Sequence, residues 1–210
     1  MARWESNAVG RLREAAMELY RDPGYDAVTV AEIAARAGLT KRTFFRYFAD
    51  KREVLFFGTD VVEAAIAQRI TDASEGTSAF DAVATALAMI AQRSDDDPVH
   101  AQFALSRHEV IQAHGELRER ELGKHASLAS AMAAALRGRG VPEPAARLAA
   151  EAGLAAFKVG FERWVEEPHR KKLGAHVREA MRGLGAVVIG SIVLAAPRAP
   201  ATTSKKRRRR

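Results

Sequence analysis

The sequence predicts an all-α protein with a small N-terminal helix-turn-helix domain followed by a larger helical domain, about nine helices in all. Two observations carry this prediction. Apolar residues recur at helical spacing along nearly the whole chain, and Gly, Pro, Ser and Asp gather at breaks between these segments. The sequence offers no alternating strand pattern of useful length and no internal repeat. With 48% hydrophobic and 28% charged residues, the composition is that of a globular protein.

The N-terminal domain is predicted over residues 1–51. Its first helix stops at Asp22-Pro23-Gly24, because proline cannot continue the hydrogen-bond ladder. A second helix begins at Thr29, which forms a capping-box pattern with Glu32, and a third begins at Thr40 after a turn at Gly38. The apolar residues that share one face of the first helix are Val9, Leu12, Ala16, Leu19 and Tyr20.

Residues 52–196 are predicted to form the larger domain. Its first helix opens near Asp50 and is expected to continue to about Thr71, and its last is expected from about Lys171 to Ala195. Between them lie about four more helices, because breaks are predicted at residues 74–78, 94–98, 113–115, 138–144 and 166–170. Residues 197–210 are predicted to be a disordered basic tail.

The net charge of +7 lies at the two ends of the chain, since the tail alone holds seven Lys or Arg and no acid. Basic ends on a nearly neutral body suit a nucleic-acid partner. The tail is read as a solvated charge run, as a source of further phosphate contacts, or as an import signal. The absence of cysteine excludes thiolate sites and fits a cytoplasmic protein. The first residues do not read as a secretory signal, and the longest apolar stretch, 186–196, is too short to span a membrane.

The third helix of the N-terminal domain carries the residues with recognition chemistry. Arginine can donate two parallel hydrogen bonds to guanine, threonine can meet a base edge or a phosphate, and lysine neutralises phosphate. Lys51, near the start of the next helix, is a further candidate for phosphate. The alternative is an amphipathic helix pair with a solvated basic face, which would not explain the cap, the glycine turn and the basic helix in this order. The outward residues are Thr40, Lys41, Arg42, Thr43, Arg46 and Tyr47.

Residues 12–55 resemble the DNA-binding domain of TetR/AcrR-family transcriptional regulators. The resemblance implies a homodimer on a double-stranded operator with two-fold symmetry, and for most members repression that a small ligand relieves. It places Thr40, Lys41, Arg42, Thr43, Tyr47 and Lys51 at DNA and adds Arg46 and Thr29. Phe45 occupies a position where the family often has tyrosine or leucine. Because its ring has no hydroxyl group, it can contact thymine methyl groups but cannot donate a hydrogen bond to phosphate. The motifs that carry the resemblance are Gly24-Tyr25, residues 29–34, Ala37-Gly38-Leu39, residues 44–48 and Lys51.

The same resemblance puts the dimer interface on the last two long helices. The residues agree, because the first of these helices has a face of small residues that permits close approach and the second is apolar on more than one face. A last helix buried wholly within one subunit is the alternative. The predicted interface residues are Ala149, Ala152, Gly153, Ala156, Gly160, Val177, Met181, Leu184 and Val188.

An aromatic stripe at helical spacing, Phe157, Phe161 and Trp164, is either core or the wall of an effector pocket. The family often lines its ligand cavity in this region, and Phe103 and Met132 are predicted to oppose the stripe. Such a pocket would favour an apolar or aromatic ligand. The sequence shows no catalytic constellation and no metal-ligand pattern, so we expect neither an enzyme nor a cofactor. The other functions left open are an activator or ligand-independent regulator, an enzyme with a DNA-binding head, and a nonspecific architectural protein.

Overall fold

A computed structural model describes the backbone of residues 2–188 and the side chains of residues 8–187. This part of the chain forms ten α-helices and no strand. No helix within it has the length and apolarity to cross a membrane. The predicted basic tail lies outside the described residues. The helices are α1 (Ala2–Leu19), α2 (Val30–Arg36), α3 (Lys41–Tyr47), α4 (Glu53–Phe56), α5 (Thr59–Thr71), α6 (Ala79–Asp96), α7 (Pro98–Ala113), α8 (Gly115–Gly138), α9 (Glu143–Glu166) and α10 (Leu173–Val188).

The all-α prediction is confirmed, and each predicted break after residue 72 falls between two observed helices. The exception is the long fourth helix, which the structure divides into α4 and α5. Phe57 adopts extended backbone angles, and Gly58 lies in the left-handed region with φ of 79°. A β-carbon is disfavoured there, so glycine makes this interruption possible. The division gives ten helices instead of about nine.

The N-terminal helices surround a core of their own, which we call the head core. It contains Leu12, Tyr20, Tyr25, Phe44 and Phe48, together with residues of α4 beyond the predicted domain boundary at 51. Val110 and Ile111 of α7 and Leu117 of α8 also lie in it. The head is therefore built against the α7–α8 corner as well as on its own three helices.

The remaining helices pack around a second core, the body core. Helix α9 lies at its centre and contacts α6, α8 and α10. Small residues permit these contacts: a β-carbon at Gly160 would lie 2.7 Å from the Cα atom of Val177 in α10, and one at Gly153 would collide with the side chain of Val83 in α6. Helices α9 and α10 therefore touch through their backbones.

Polar contacts fasten the head to the body. Arg107 of α7 donates from Nε to the carbonyl of Leu55 at 2.7 Å and pairs with Glu121 at 2.8 Å. The hydroxyl of Tyr25 donates to Glu116 of α8 at 3.0 Å. These contacts converge on the α7–α8 corner, which therefore helps to hold the head in place.

Candidate DNA interface

Helix α2 is fixed at its start by the predicted capping box. Thr29 Oγ1 accepts from the amide of Glu32 at 3.3 Å, and the Glu32 carboxylate accepts from the amide and the hydroxyl of Thr29, both at 2.8 Å. These hydrogen bonds to the ionised form hold the pKa of Glu32 below its ordinary value. Thr29 is exposed, but both of its donors already serve the cap.

The turn into α3 is compact. Gly38 has φ of 63°, a conformation that suits glycine, and Leu39 donates to the carbonyl of Ala34 at 2.8 Å. Thr40 then caps α3 by accepting from the amide of Thr43 at 3.1 Å. The predicted starts of α2 and α3 are thus confirmed, as is the predicted capping box of α2, and the side-chain cap at Thr40 is an addition from the structure.

Helix α3 divides sharply into a buried and an exposed face. Phe44 is 0% exposed and packs on Phe48, with ring centroids 5.2 Å apart. Lys41, Arg42 and Arg46 are exposed on the other side. Three cationic side chains are thus exposed on a short helix, and the packing of its aromatic residues holds that helix in position.

Tyr47 and Arg46 form a joined pair at the end of α3. The Arg46 guanidinium lies 4.7 Å from the centroid of the Tyr47 ring and donates to its hydroxyl at 2.6 Å. The hydroxyl keeps its own proton for an acceptor such as a phosphate oxygen. Phe45 is 55% exposed on the same surface, so a large apolar ring stands among the cations.

Lys51 occupies a different place from the one predicted. Its Nζ atom donates to the carbonyls of Tyr25 at 2.7 Å and Val28 at 3.0 Å, with that of Asp26 at 3.4 Å, and lies 4.4 Å from the centroid of the Tyr25 ring. We call this arrangement the Lys51 clasp. The ammonium is engaged by the loop before α2, which argues against the predicted phosphate contact. Lys51 also precedes α4 rather than lying within it.

Two buried tyrosines support the clasp. Tyr20 donates from its hydroxyl to the carbonyl of Lys51 at 2.5 Å, and its ring meets that of Tyr25 edge to face at 5.1 Å. Burial raises the pKa of both phenols well above the ordinary value, and for Tyr25 the hydrogen bond to Glu116 adds to the effect. Both hydroxyls therefore remain protonated donors. The sequence did not single these two residues out as supports, because their partners lie far along the chain.

The predicted ligand residues do not form one site. Met132 and Trp164 are buried in the body core, and Phe157 and Phe161 pack against it. Phe103 instead packs on the head core, beneath the guanidinium of Arg13. Phe103 therefore lies apart from the aromatic stripe in this conformation, and its part in a ligand site stays a prediction.

A cavity of about 460 Å³ opens at the joint between head and body. It lies between the turn after α1 and the second half of α7, where Tyr20, Arg21, Ser106 and His114 are among its lining residues. None of the predicted ligand residues lines this cavity.

Most of the predicted dimer residues are covered within the subunit. Gly153, Ala156 and Gly160 are buried on the side of α9 that packs on other helices, and Val177 and Met181 are buried in α10. Since they are already covered, they offer no surface to a second copy, and the small-residue face serves packing within the subunit. Ala149, Ala152 and Leu184 are half-buried, and the side chain of Val188 lies outside the described residues.

Comparison with known proteins agrees with this geometry. Residues 12–56 match the family described as bacterial regulatory proteins, tetR family. No curated protein matches the chain. The matched segment spans α2, α3 and α4, so it contains the whole surface described above.

Solved structures share the fold over most of the chain. A putative TetR-family regulator from Syntrophomonas wolfei has a TM-score of 0.63 at 14% identity, covering 90% of this chain and 99% of its own. A SmeT–triclosan complex has a TM-score of 0.61 at 18% identity, covering 86% and 90%, and SmeT is the repressor of a Stenotrophomonas maltophilia multidrug efflux pump. Thermus thermophilus FadR with lauroyl-CoA has a TM-score of 0.53 at 20% identity, covering 91% and 98%.

The family match lies on the helix-turn-helix, and the fold extends through α10. The matched segment is thus a helix-turn-helix of the kind found in bacterial regulatory proteins of the tetR family, and the fold of the described residues is that of solved TetR-family structures.

Proposed function

We propose that the protein is a transcriptional repressor whose helix α3 enters the major groove of a two-fold-symmetric operator. The observation that carries this proposal is the exposed face of α3, where Lys41, Arg42 and Arg46 project from a helix anchored by the buried ring of Phe44. Arg42 reads bases and Lys41 neutralises phosphate, while Thr40, Thr43 and Tyr47 contribute hydroxyls near the backbone. Thr29 acts through the cap of α2.

A homodimer supplies the two heads that such an operator requires. Support comes from an exposed apolar stripe on the side of α9 opposite Gly153 and Gly160. Leu148 is 70% exposed and Val159 46% exposed, and Ala152 and Ala155 lie between them on the same face. Val187 of α10 is also exposed. We assign the contact between subunits to this stripe, which includes the half-buried Ala152, with the half-buried Ala149 and Leu184 at its edge.

A small apolar or aromatic effector is proposed to release the operator. The half-buried rings of Phe157 and Phe161 support it: they stack at 6.4 Å between centroids, and His108 of α7 meets Phe161 at 5.4 Å. Trp164, 5.6 Å from Phe161, gives the site a fluorescent reporter. The ligands in the related structures, triclosan in SmeT and lauroyl-CoA in FadR, carry substantial apolar parts.

The experiment is footprinting of the gene's own upstream region with the full-length protein, paired with a promoter reporter in a deletion strain. Repression predicts a protected two-fold-symmetric site and a rise in reporter activity on deletion. A panel of apolar aromatic compounds, triclosan among them, is then screened for release of that DNA and, in a Trp4→Phe variant that keeps Trp164 as its one tryptophan, for a change in fluorescence. A fall in reporter activity on deletion would instead identify an activator.

The remaining alternatives have different signatures. A ligand-independent regulator would protect the same site but respond to no compound. A nonspecific architectural protein would protect random DNA equally well. An enzyme with a DNA-binding head would convert a substrate, so substrate turnover by the purified protein would support that alternative.

A further inference from the structure

The cavity at the joint between head and body, which we call the joint cavity, belongs neither to the DNA surface nor to the aromatic stripe. Its volume of about 460 Å³ falls in the range of roughly 300–1,000 Å³ that small-molecule sites occupy. The turn after α1 forms one wall, and the second half of α7 forms the other. A molecule bound there therefore contacts both the head and the body.

The inner surface of the joint cavity is largely apolar. Met17 and Tyr20 contribute to the wall from the head, and Val110 and Ala113 of α7 contribute to the opposite wall. Met17, Tyr20 and Val110 belong to the head core and are nearly buried, whereas Ala113 is exposed. This surface suits the apolar part of a small ligand.

The charged groups of the joint cavity are mainly acidic. Asp26, in the loop before α2, and Glu109, on α7, are both exposed, so one carboxylate lies at the mouth on each wall. Arg21 is the only arginine or lysine among the described lining residues, and it donates to the hydroxyl of Ser106 at 3.2 Å. His114, whose Nδ1 atom lies 3.5 Å from the Asp26 carboxylate, adds a positive charge only when it is protonated.

These carboxylates have little compensation from cationic side chains. Glu109 is in no ion pair among the described residues. Asp26 has only the His114 contact, and its side chain is 84% exposed. Lys51 lies nearby, but it does not line the cavity, and its ammonium is engaged by the loop carbonyls. Two carboxylates therefore face one guanidinium across an apolar cavity.

We propose that the joint cavity binds a small organic cation with an apolar body. The apolar body packs on Met17 and Val110, and the cationic group faces the carboxylates of Asp26 and Glu109. Because Asp26 belongs to the head and Glu109 to the body, the bound cation ties the two parts together. The site is distinct from the effector site proposed at the aromatic stripe, and its test uses no DNA.

The test compares three compounds of nearly the same shape: benzamidine, a cation, benzamide, which is neutral, and benzoate, an anion. Each is titrated into the full-length protein at constant low ionic strength and about pH 8, where histidine is ordinarily neutral. The readout is the methyl resonance of Met17 in protein labelled with 13C-methyl methionine, assigned by its absence from M17L. Met132, buried in the body core, provides an internal control.

Benzamidine should shift the Met17 resonance saturably, with weaker binding by benzamide and the weakest by benzoate. The Met132 resonance should stay unchanged. D26N and E109Q should each weaken benzamidine roughly threefold, the scale of an exposed ion pair. Together they should reduce its binding to that of benzamide.

Two further variants control for position. E119Q removes an exposed carboxylate of α8 that does not line the cavity, and it should bind benzamidine as the wild type does. A113W places a large ring at the mouth and should abolish the response to all three compounds.

Three results would overturn the proposal. The first is a Met17 resonance that does not respond to benzamidine, including the case in which Met132 responds instead. The second is equal or tighter binding of benzamide or benzoate. The third is a doubly substituted D26N/E109Q protein that still prefers the cation.

Discussion

The head and the body of this protein are packed by different means. The head core is rich in large aromatic residues, with Tyr20, Tyr25, Phe44, Phe48 and Phe56 all nearly or fully buried. The body core relies on small residues, so that α9 approaches α10 and α6 at backbone distance through Gly160 and Gly153. Large rings lock short helices at fixed angles, whereas small residues let long helices lie against one another.

This difference fits the two tasks proposed for them. Helices α2 and α3 have seven residues each, too few to be stable alone, so the angle of the recognition helix depends on the rings behind it. Helices α9 and α10 are long and need only a continuous line of close contact between them, which we call the seam. The polar Lys51 clasp belongs to the head alone and ties the loop before α2 to the segment after α3.

The largest effect is expected from a substitution that disrupts the aromatic core of the head. Phe44→Ala should lower the free energy of unfolding by about 3–5 kcal/mol, because it removes a fully buried ring. The neighbouring Phe45→Ala is the matched control and should change stability by less than about 0.5 kcal/mol, since Phe45 is exposed. Urea denaturation followed by circular dichroism measures both. Equal losses would mean that the rings do not anchor α3.

The seam of the body is tested by Gly160→Ala. The new β-carbon would meet the backbone of Val177, which cannot move as a side chain can, so a loss of about 1–3 kcal/mol in unfolding free energy is expected. Gly123→Ala is the control, because Gly123 lies in α8 with open space around it, and should stabilise the protein by about 0.5–1 kcal/mol. Thermal unfolding compares them. If Gly160→Ala stabilised the protein as Gly123→Ala is expected to do, α9 and α10 would not be in close contact at Gly160.

The exposed face of the head is tested by Arg42→Ala. We expect a loss of about 1–3 kcal/mol in operator binding at the base pair that Arg42 contacts and little change at other positions. Stability should remain that of the wild type, because Arg42 is exposed. Fluorescence anisotropy with operator variants measures the discrimination. A uniform loss on all duplexes would assign Arg42 to the phosphate backbone instead.

The smallest effects are expected from two substitutions that distinguish the structural role of Lys51 from the phosphate contact proposed for Lys41. Lys51→Met should lower the free energy of unfolding by about 1 kcal/mol, because the loop carbonyls lose their donor, but leave the salt dependence of DNA binding unchanged. Lys41→Met should leave stability unchanged and reduce the slope of log K against log salt by about 0.9. Salt titrations at several concentrations distinguish the two. A reduced slope for Lys51→Met would restore it as a phosphate contact.

Local signals in the sequence predicted the parts of the site that depend on neighbours in the chain. The capping box of Thr29 and Glu32, the turn at Gly38 and the start of α3 at Thr40 each depend on a few neighbouring residues and were confirmed. The role of Lys51 was missed because its partners lie 23 to 26 residues away. A local sequence pattern does not reveal contacts between residues that are distant in the chain.

The body was harder for a related reason. Small residues on α9 indicate a close helix contact, but the sequence does not say whether the partner is in the same subunit. The structure assigns Gly153 and Gly160 to contacts within the subunit and leaves Leu148 and Val159 exposed. The break at Gly58 was likewise missed, since a single glycine in a helical pattern is tolerated and does not by itself predict an interruption.

The proposed function depends on the exposed face of α3 reading a symmetric operator. The most direct measurement is selection of bound duplexes from a random DNA pool by the full-length protein at fixed salt, repeated with Arg42→Ala. We expect enrichment of a two-fold-symmetric motif, with Arg42→Ala relaxing the preference at one symmetry-related base pair in each half. A pool that gains no motif, or an identical motif from both proteins, would contradict it.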